Sequence, residues 1–117
     1  SLDDEEFEFT GKTIQAYILH GVRYSVNSWK EMVIQICHHL LLEKRSTLEW
    51  LCANEKTYFY FSPDSKREQI GPNMYIGTNN STTTKIYILR HLFEECNIPL
   101  SELIFEFREG MTSENEE

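Results

Sequence analysis

With 117 residues, 40% of them hydrophobic and 13% aromatic, the chain can bury one core without covalent staples and is too apolar to be disordered. The net charge of −8 is unfavourable for nucleic-acid binding, but its distribution matters more than its total. Asp3, Asp4, Glu5, Glu6 and Glu8 crowd the start and Glu114, Glu116 and Glu117 the end; removing these eight from 19 acids leaves 11, against 11 Lys and Arg.

A neutral single domain at 9–109 is therefore expected, between flexible acidic ends at 1–8 and 110–117. Three cysteines, Cys37, Cys52 and Cys96, lie in apolar helical segments without the spacing of a secreted scaffold. Free thiols in a reducing cytoplasm are the expectation. No signal peptide and no membrane-length apolar run is seen. The chain starts at Ser1 rather than at a methionine, as an excised piece of a longer protein would, and its acidic end suits a natural C-terminus.

In chain order, Ile14, Ala16 and Ile18, then Val22, Tyr24 and Val26, alternate with polar neighbours around His20-Gly21 and predict a β-hairpin. Ser28-Trp29-Lys30-Glu31 fits a capping box. Behind it Trp29, Met32, Val33, Ile36, Cys37, Leu40 and Leu41 recur at helical spacing. Ser46-Thr47-Leu48-Glu49 reads as a second capping box for a short helix ending near Asn54. The aromatic run Thr57 to Ser62 reads as a strand, with Phe59 and Phe61 facing a core and Tyr58 and Tyr60 facing outward.

The following "SPDSKREQIGPN", Ser62 to Asn73, has the composition of a surface loop. Met74 to Thr78 predicts a partner strand, Asn80 or Ser81 caps a third helix carrying Ile86, Leu89, Leu92, Phe93 and Cys96, and Asn97 and Pro99 end it. Ile104 to Arg108 closes as a strand. The expected fold is α+β, a mainly antiparallel sheet packed on three helices in the order β-β-α-α-β-β-α-β. Each half is a hairpin followed by a helix, an echo that capping chemistry explains as well as duplication does.

The Cys37-His38-His39 triplet invites a metal or nucleophile reading. Consecutive helical residues point about 100° apart, so the three cannot converge on one ion, and no His or Cys sits at i+3 or i+4 from them. Cys37 is expected in the core and the histidines on its flanks. His20 and His91 read as solvated, Glu94 and Glu95 diverge, and the glycines are scattered singly. Neither catalytic, metal-binding nor cofactor-binding residues are therefore named, and a non-enzymatic domain without cofactor is expected.

Two places could meet a ligand. Tyr58 and Tyr60, flanked by Lys56, Lys66 and Arg67, suit a sheet that stacks nucleic-acid bases. Tyr75, Asn79, Asn80, Ser81 and Lys85 lie where a strand runs into a helix start, a place for an anion. Against the first stands packing of the tyrosines under another segment, and against the second a self-satisfied cap.

Taken together, "VNSWKEMVIQICHHLL", "YFYFS", "MYIGTNNS" and "LSELIFEF" resemble a small domain at the C-terminal end of bacterial restriction-type and phage-defence proteins, including ones with ParB-like nuclease modules. The similarity spans Lys12 to Phe107. It carries over Ser28, Trp29, Tyr60, Phe61, Ser62, Tyr75, Asn79 and Ser81, and implies an accessory recognition domain rather than a catalytic one. The partners expected are nucleic acid first, and otherwise a partner protein or an adjoining catalytic domain of the full-length chain.

Overall fold

His20 and Gly21 take φ of 52° and 82°, the pair of positive angles that a two-residue type I′ hairpin turn demands. The computed structural model describes residues 1–4 and 7–108; the acidic tail expected at 110–117 lies outside them. The elements are β1 (Ile14–Leu19), β2 (Val22–Ser25), α1 (Trp29–Glu43), α2 (Arg45–Asn54), β3 (Phe59–Tyr60), β4 (Arg67–Gly71), β5 (Met74–Gly77), α3 (Thr82–Glu95), a 3-10 turn (Leu100–Glu102) and β6 (Leu103–Phe107). The α+β class and the expected order hold, with β4 added and the strands divided between two antiparallel sheets, β2-β1-β6 and β3-β5-β4. The chain divides into two units, Ser1–Met32 with Thr82–Glu117, and Val33–Ser81.

In the first unit β1 is the central strand. Pairing with β6 shifts register between Ile14 and Ala16, where Gln15 is the extra residue. A bulge moves every later side chain to the other face. Ile14 and Ala16 are buried as expected, but beyond the bulge Tyr17 and Leu19 are buried instead of Ile18. Tyr17 stacks on Tyr24 at 5.1 Å, and burial pushes its hydroxyl well above the usual tyrosine range.

Trp29 anchors the start of α1. Its indole N–H donates to the Lys12 carbonyl at 3.0 Å, and its ring meets Phe105 at 5.2 Å and Phe9 at 6.0 Å, both edge-on. Such arrangements suit the aromatic quadrupole. The first residues are also held: Leu2 is fully buried and donates to Leu103, while Arg90 donates to the Leu2 and Asp4 carbonyls at 3.0 and 3.3 Å. A freely solvated arm over 1–8 therefore does not describe Leu2, whose apolar side chain has a better place inside.

The capping box of α1 is present. Ser28 Oγ accepts from the Glu31 amide at 3.0 Å, and the Glu31 carboxylate accepts from the Asn27 amide at 2.8 Å. Its reciprocal arm thus reaches one residue earlier than usual. At the other end of the unit, α3 stops in a Schellman motif: Asn97 has φ of 58°, and the Ile98 amide donates to the Phe93 carbonyl at 2.9 Å. Phe93 and Ile98 are both buried, the apolar contact that accompanies this motif.

In the second unit Ile36, Cys37 and Leu40 of α1 are buried with Leu48, Leu51 and Cys52 of α2 and Phe59, Ile70, Met74 and Ile76 of the sheet. The second capping box does not form. Only Lys44 separates the helices, α2 begins at Arg45, and no side chain caps it. The Lys44 carbonyl instead accepts from Thr47 and Leu48 at 3.1 Å each, which leaves Ser46 inside the helix, and Glu49 pairs with Arg45 at 3.3 Å.

The loop expected after Ser62 contains β4. Its one buried residue, Ile70, gave little period to read, but Arg67 to Gly71 pair with β5 across a turn at Pro72-Asn73, where Asn73 has φ of 58°. Gly71 sits where a Cβ would lie 2.9 Å from the Leu41 side chain and 3.1 Å from that of Met74, so its bareness leaves room for those two side chains.

Replacing Ser28 by Ala should lower stability by about 1 kcal/mol, read as a shift of the urea midpoint with unchanged slope. An unmoved midpoint would show that the cap contributes nothing.

Candidate functional site

β5 is the middle strand of its sheet, so its side chains sort the whole unit. Met74 and Ile76 are buried, and Tyr75 and Gly77 occupy the opposite, open face. Tyr60 pairs with Tyr75 from one side, and Gln69 and Arg67 pair with Tyr75 and Gly77 from the other. The open face is thus tyrosine, glycine and arginine.

Gly77 decides what that face can do. With no side chain at this position, Arg67 reaches across β5 and lays its guanidinium 3.4 Å from the centre of the Tyr60 ring, a cation–π stack. Its Nη1 also donates to the Ser62 carbonyl at 3.0 Å and to Ser62 Oγ at 3.3 Å. Arg67 therefore binds the β3–β4 connection to the sheet. A Cβ at residue 77 would meet Tyr60 and the Tyr58 carbonyl at 3.9 Å, an ordinary contact, so the fold tolerates alanine there while a larger side chain would occupy the face.

Beside this stack a cleft of about 460 Å³ opens, lined by Tyr58, Tyr60, Lys66, Arg67, Asn79 and Asn80. Its size lies within the range of small-molecule sites, about 300–1,000 Å³. Glu55 sets the tyrosines: one carboxylate oxygen accepts from the amides of Thr57, Tyr58 and Phe59 at 2.9, 2.7 and 3.0 Å. The Tyr60 hydroxyl donates back to the Thr57 carbonyl. Asn80 is fixed by its amide, which donates to the Gly77 carbonyl at 3.0 Å, and Asn79 is exposed.

Six of the nine residues named from the sequence thus meet in one cleft. Tyr75 lies on the same open face but does not line it, and Ser81 lies just beyond. Lys85 does not belong to the site: it is buried in the first unit, 7% exposed, because residue 85 falls on the apolar side of α3. Burial, and then the Lys30 charge, lower its pKa. Phe61 was expected in the core and is 49% exposed, since β3 ends at Tyr60 and the alternation ends with it, leaving Phe59 alone buried.

Asp64, Ser65, Thr57 and Gly77 complete the lining and were not named from the sequence. A glycine inside a predicted strand signals close approach of other groups, which was the legible clue to Gly77. Asp64 had no such signal beyond its turn composition.

Other candidates yield less. Cys37 is buried, His38 exposed and His39 half-buried, with the His39 pKa lowered by burial and then by His38. Burial pushes the Cys52 thiol up, opposed by the backbone amides of Tyr75 and Tyr60, as for an inert core thiol. Among the described residues no group of three or more His, Cys, Asp and Glu is placed to hold a metal, and no helix is long and apolar enough to cross a membrane. A second cleft of about 360 Å³ lies between Phe7, Phe9, Tyr87 and Arg90 in the first unit, but the backbone carbonyls of Leu2 and Asp4 already take up Arg90.

Between Lys85's lowered pKa and its ordinary value of 10.5, the unfolded chain holds a proton that the folded chain releases, so Lys85 makes stability rise with pH. Buried Tyr17 and Cys52, with raised pKa values, act oppositely in alkali. The expected result is that Lys85→Met, compared with wild type by urea unfolding from pH 7 to 10, removes an upward component. Parallel curves would show that Lys85 titrates alike in both states.

Comparison with family models, curated proteins and solved structures returns no match for this chain. The resemblance to the defence-protein domain rests on the quoted motifs, and the chemistry of the cleft on its own geometry.

Proposed function

We propose that the chain is a non-enzymatic recognition module that holds single-stranded nucleic acid in the cleft of the second unit, as an accessory part of a larger restriction- or defence-type protein of the bacterial cytoplasm. The observation that supports this reading most is the Tyr60–Arg67 stack beside Tyr58 and Lys66. Flat aromatic and guanidinium surfaces take bases by stacking, at about 1–3 kcal/mol per base, and an exposed lysine meets the backbone phosphate. The asparagines at the cleft's edge add amide donors and acceptors suited to base edges.

The rival reading is a surface for a partner protein. Leu42, Trp50 and Phe61 of the same unit are 87%, 51% and 49% exposed, and exposed aromatics favour such contacts.

The test uses short labelled oligomers, ribo and deoxyribo, at low salt. Wild type should bind with an affinity that falls as salt rises, Tyr58→Ala/Tyr60→Ala should lose at least tenfold, and Gly77→Leu should lose binding by filling the cleft while remaining folded. Absence of binding to every oligomer, or full binding by Gly77→Leu, would sink the proposal. Size that grows with protein concentration, without oligomer binding, would favour the rival.

A further inference from the structure

Asp64 is out of place in a cleft that merely collects phosphates. We infer, on the strength of the nucleic-acid reading, that this carboxylate selects a ribonucleotide by accepting a hydrogen bond from its ribose hydroxyl.

The geometry leaves Asp64 equipped for that task. Its Oδ1 accepts from the Ser65 amide at 2.7 Å, which holds the side chain against its own backbone. The Arg67 amide donates to the Asp64 carbonyl at 3.2 Å, so the backbone is fixed as well. Oδ2 lies 4.0 Å from Arg67 Nη2, beyond a hydrogen bond, and Arg67 spends Nη1 on Ser62 and its face on Tyr60. One carboxylate oxygen therefore keeps its accepting capacity at the cleft wall, where the side chain is 63% exposed.

Chemistry narrows what that oxygen would meet. An ionised carboxylate accepts only and repels phosphate, so it cannot be a backbone contact. Within a nucleotide stacked on the Tyr60–Arg67 pair, the sugar hydroxyls are donors common to every base. The 2′-hydroxyl is the group that separates RNA from DNA, and an acidic side chain on ribose is a recurrent solution in dinucleotide sites. The other donors open to a carboxylate are the exocyclic amines of adenine, cytosine and guanine, which uracil lacks, and the ring N–H of uracil, which ribo and deoxyribo forms share.

Oligouridylate and oligodeoxyuridylate of one length share every base and differ only in that hydroxyl. Wild type should bind the ribo form about tenfold more tightly, as a hydrogen bond to a charged acceptor implies. Asp64→Asn keeps the oxygen that Ser65 uses and replaces the other with an amide nitrogen, so the ratio should fall to about twofold or less. Glu49→Gln, which removes a carboxylate of α2 outside the cleft lining, should preserve the ratio. Equal binding of the two oligomers by wild type, or an unchanged ratio in Asp64→Asn, overturns this inference and leaves the nucleic-acid reading standing. Binding of neither overturns both.

Discussion

The second unit depends on the two-sidedness of β5. Of its four residues, Tyr75 and Ile76 pair with strands on both edges, so their side chains have neighbours from β3 and β4 at once, while Met74 and Gly77 pair with β4. Methionine and isoleucine fill the buried side, and a side chain larger than alanine at residue 77 would occupy the open face beside Arg67 and Tyr60. Glycine normally weakens a strand, by about 0.5–1 kcal/mol against alanine. Here that cost falls at the position paired with Arg67, whose guanidinium crosses the sheet to the Tyr60 ring.

Arg67 shows why composition alone could not locate the site. The second unit holds five Lys or Arg, Lys44, Arg45, Lys56, Lys66 and Arg67, and five acids, Glu43, Glu49, Glu55, Asp64 and Glu68. Arg45 is matched by Glu49 at 3.3 Å, and Lys56 does not line the cleft. What remains there is Lys66, a stacked arginine and one aspartate, a set whose value lies in arrangement rather than in net charge.

The parts legible from sequence were those governed by local chemistry. The Ser28 cap, the apolar stripe of α1, the His20-Gly21 turn and the Asn97 stop each depend on residues within a few positions, and each is found. The parts that were not legible depend on distant partners. The bulge at Gln15 exists because of β6, which begins more than eighty residues later, and it exchanged Ile18 for Tyr17 in the core. Ser46 could have capped a helix, but the chain had already turned at Lys44. β4 has one buried side chain and is a strand because β5 supplies its partner.

The site was legible to the same degree and for the same reason. Tyr58 and Tyr60 were readable from strand alternation, the asparagines from their place before a helix, and Lys66 and Arg67 as cations beside the tyrosines, yet nothing local indicated that a strand, β4, would lay Arg67 on the Tyr60 ring. Lys85 was misplaced because one helical turn beyond Ser81 the chain has already entered the apolar side of α3. Asp64 escaped notice because a carboxylate in a turn is ordinary; it acquires meaning only once the fold sets it in the cleft wall, with Oδ2 4.0 Å from Arg67 Nη2, near enough to pair in charge and too far to hydrogen-bond. Whether a charged group keeps room for another hydrogen bond depends on how its neighbours are held, and that is a property of the folded unit.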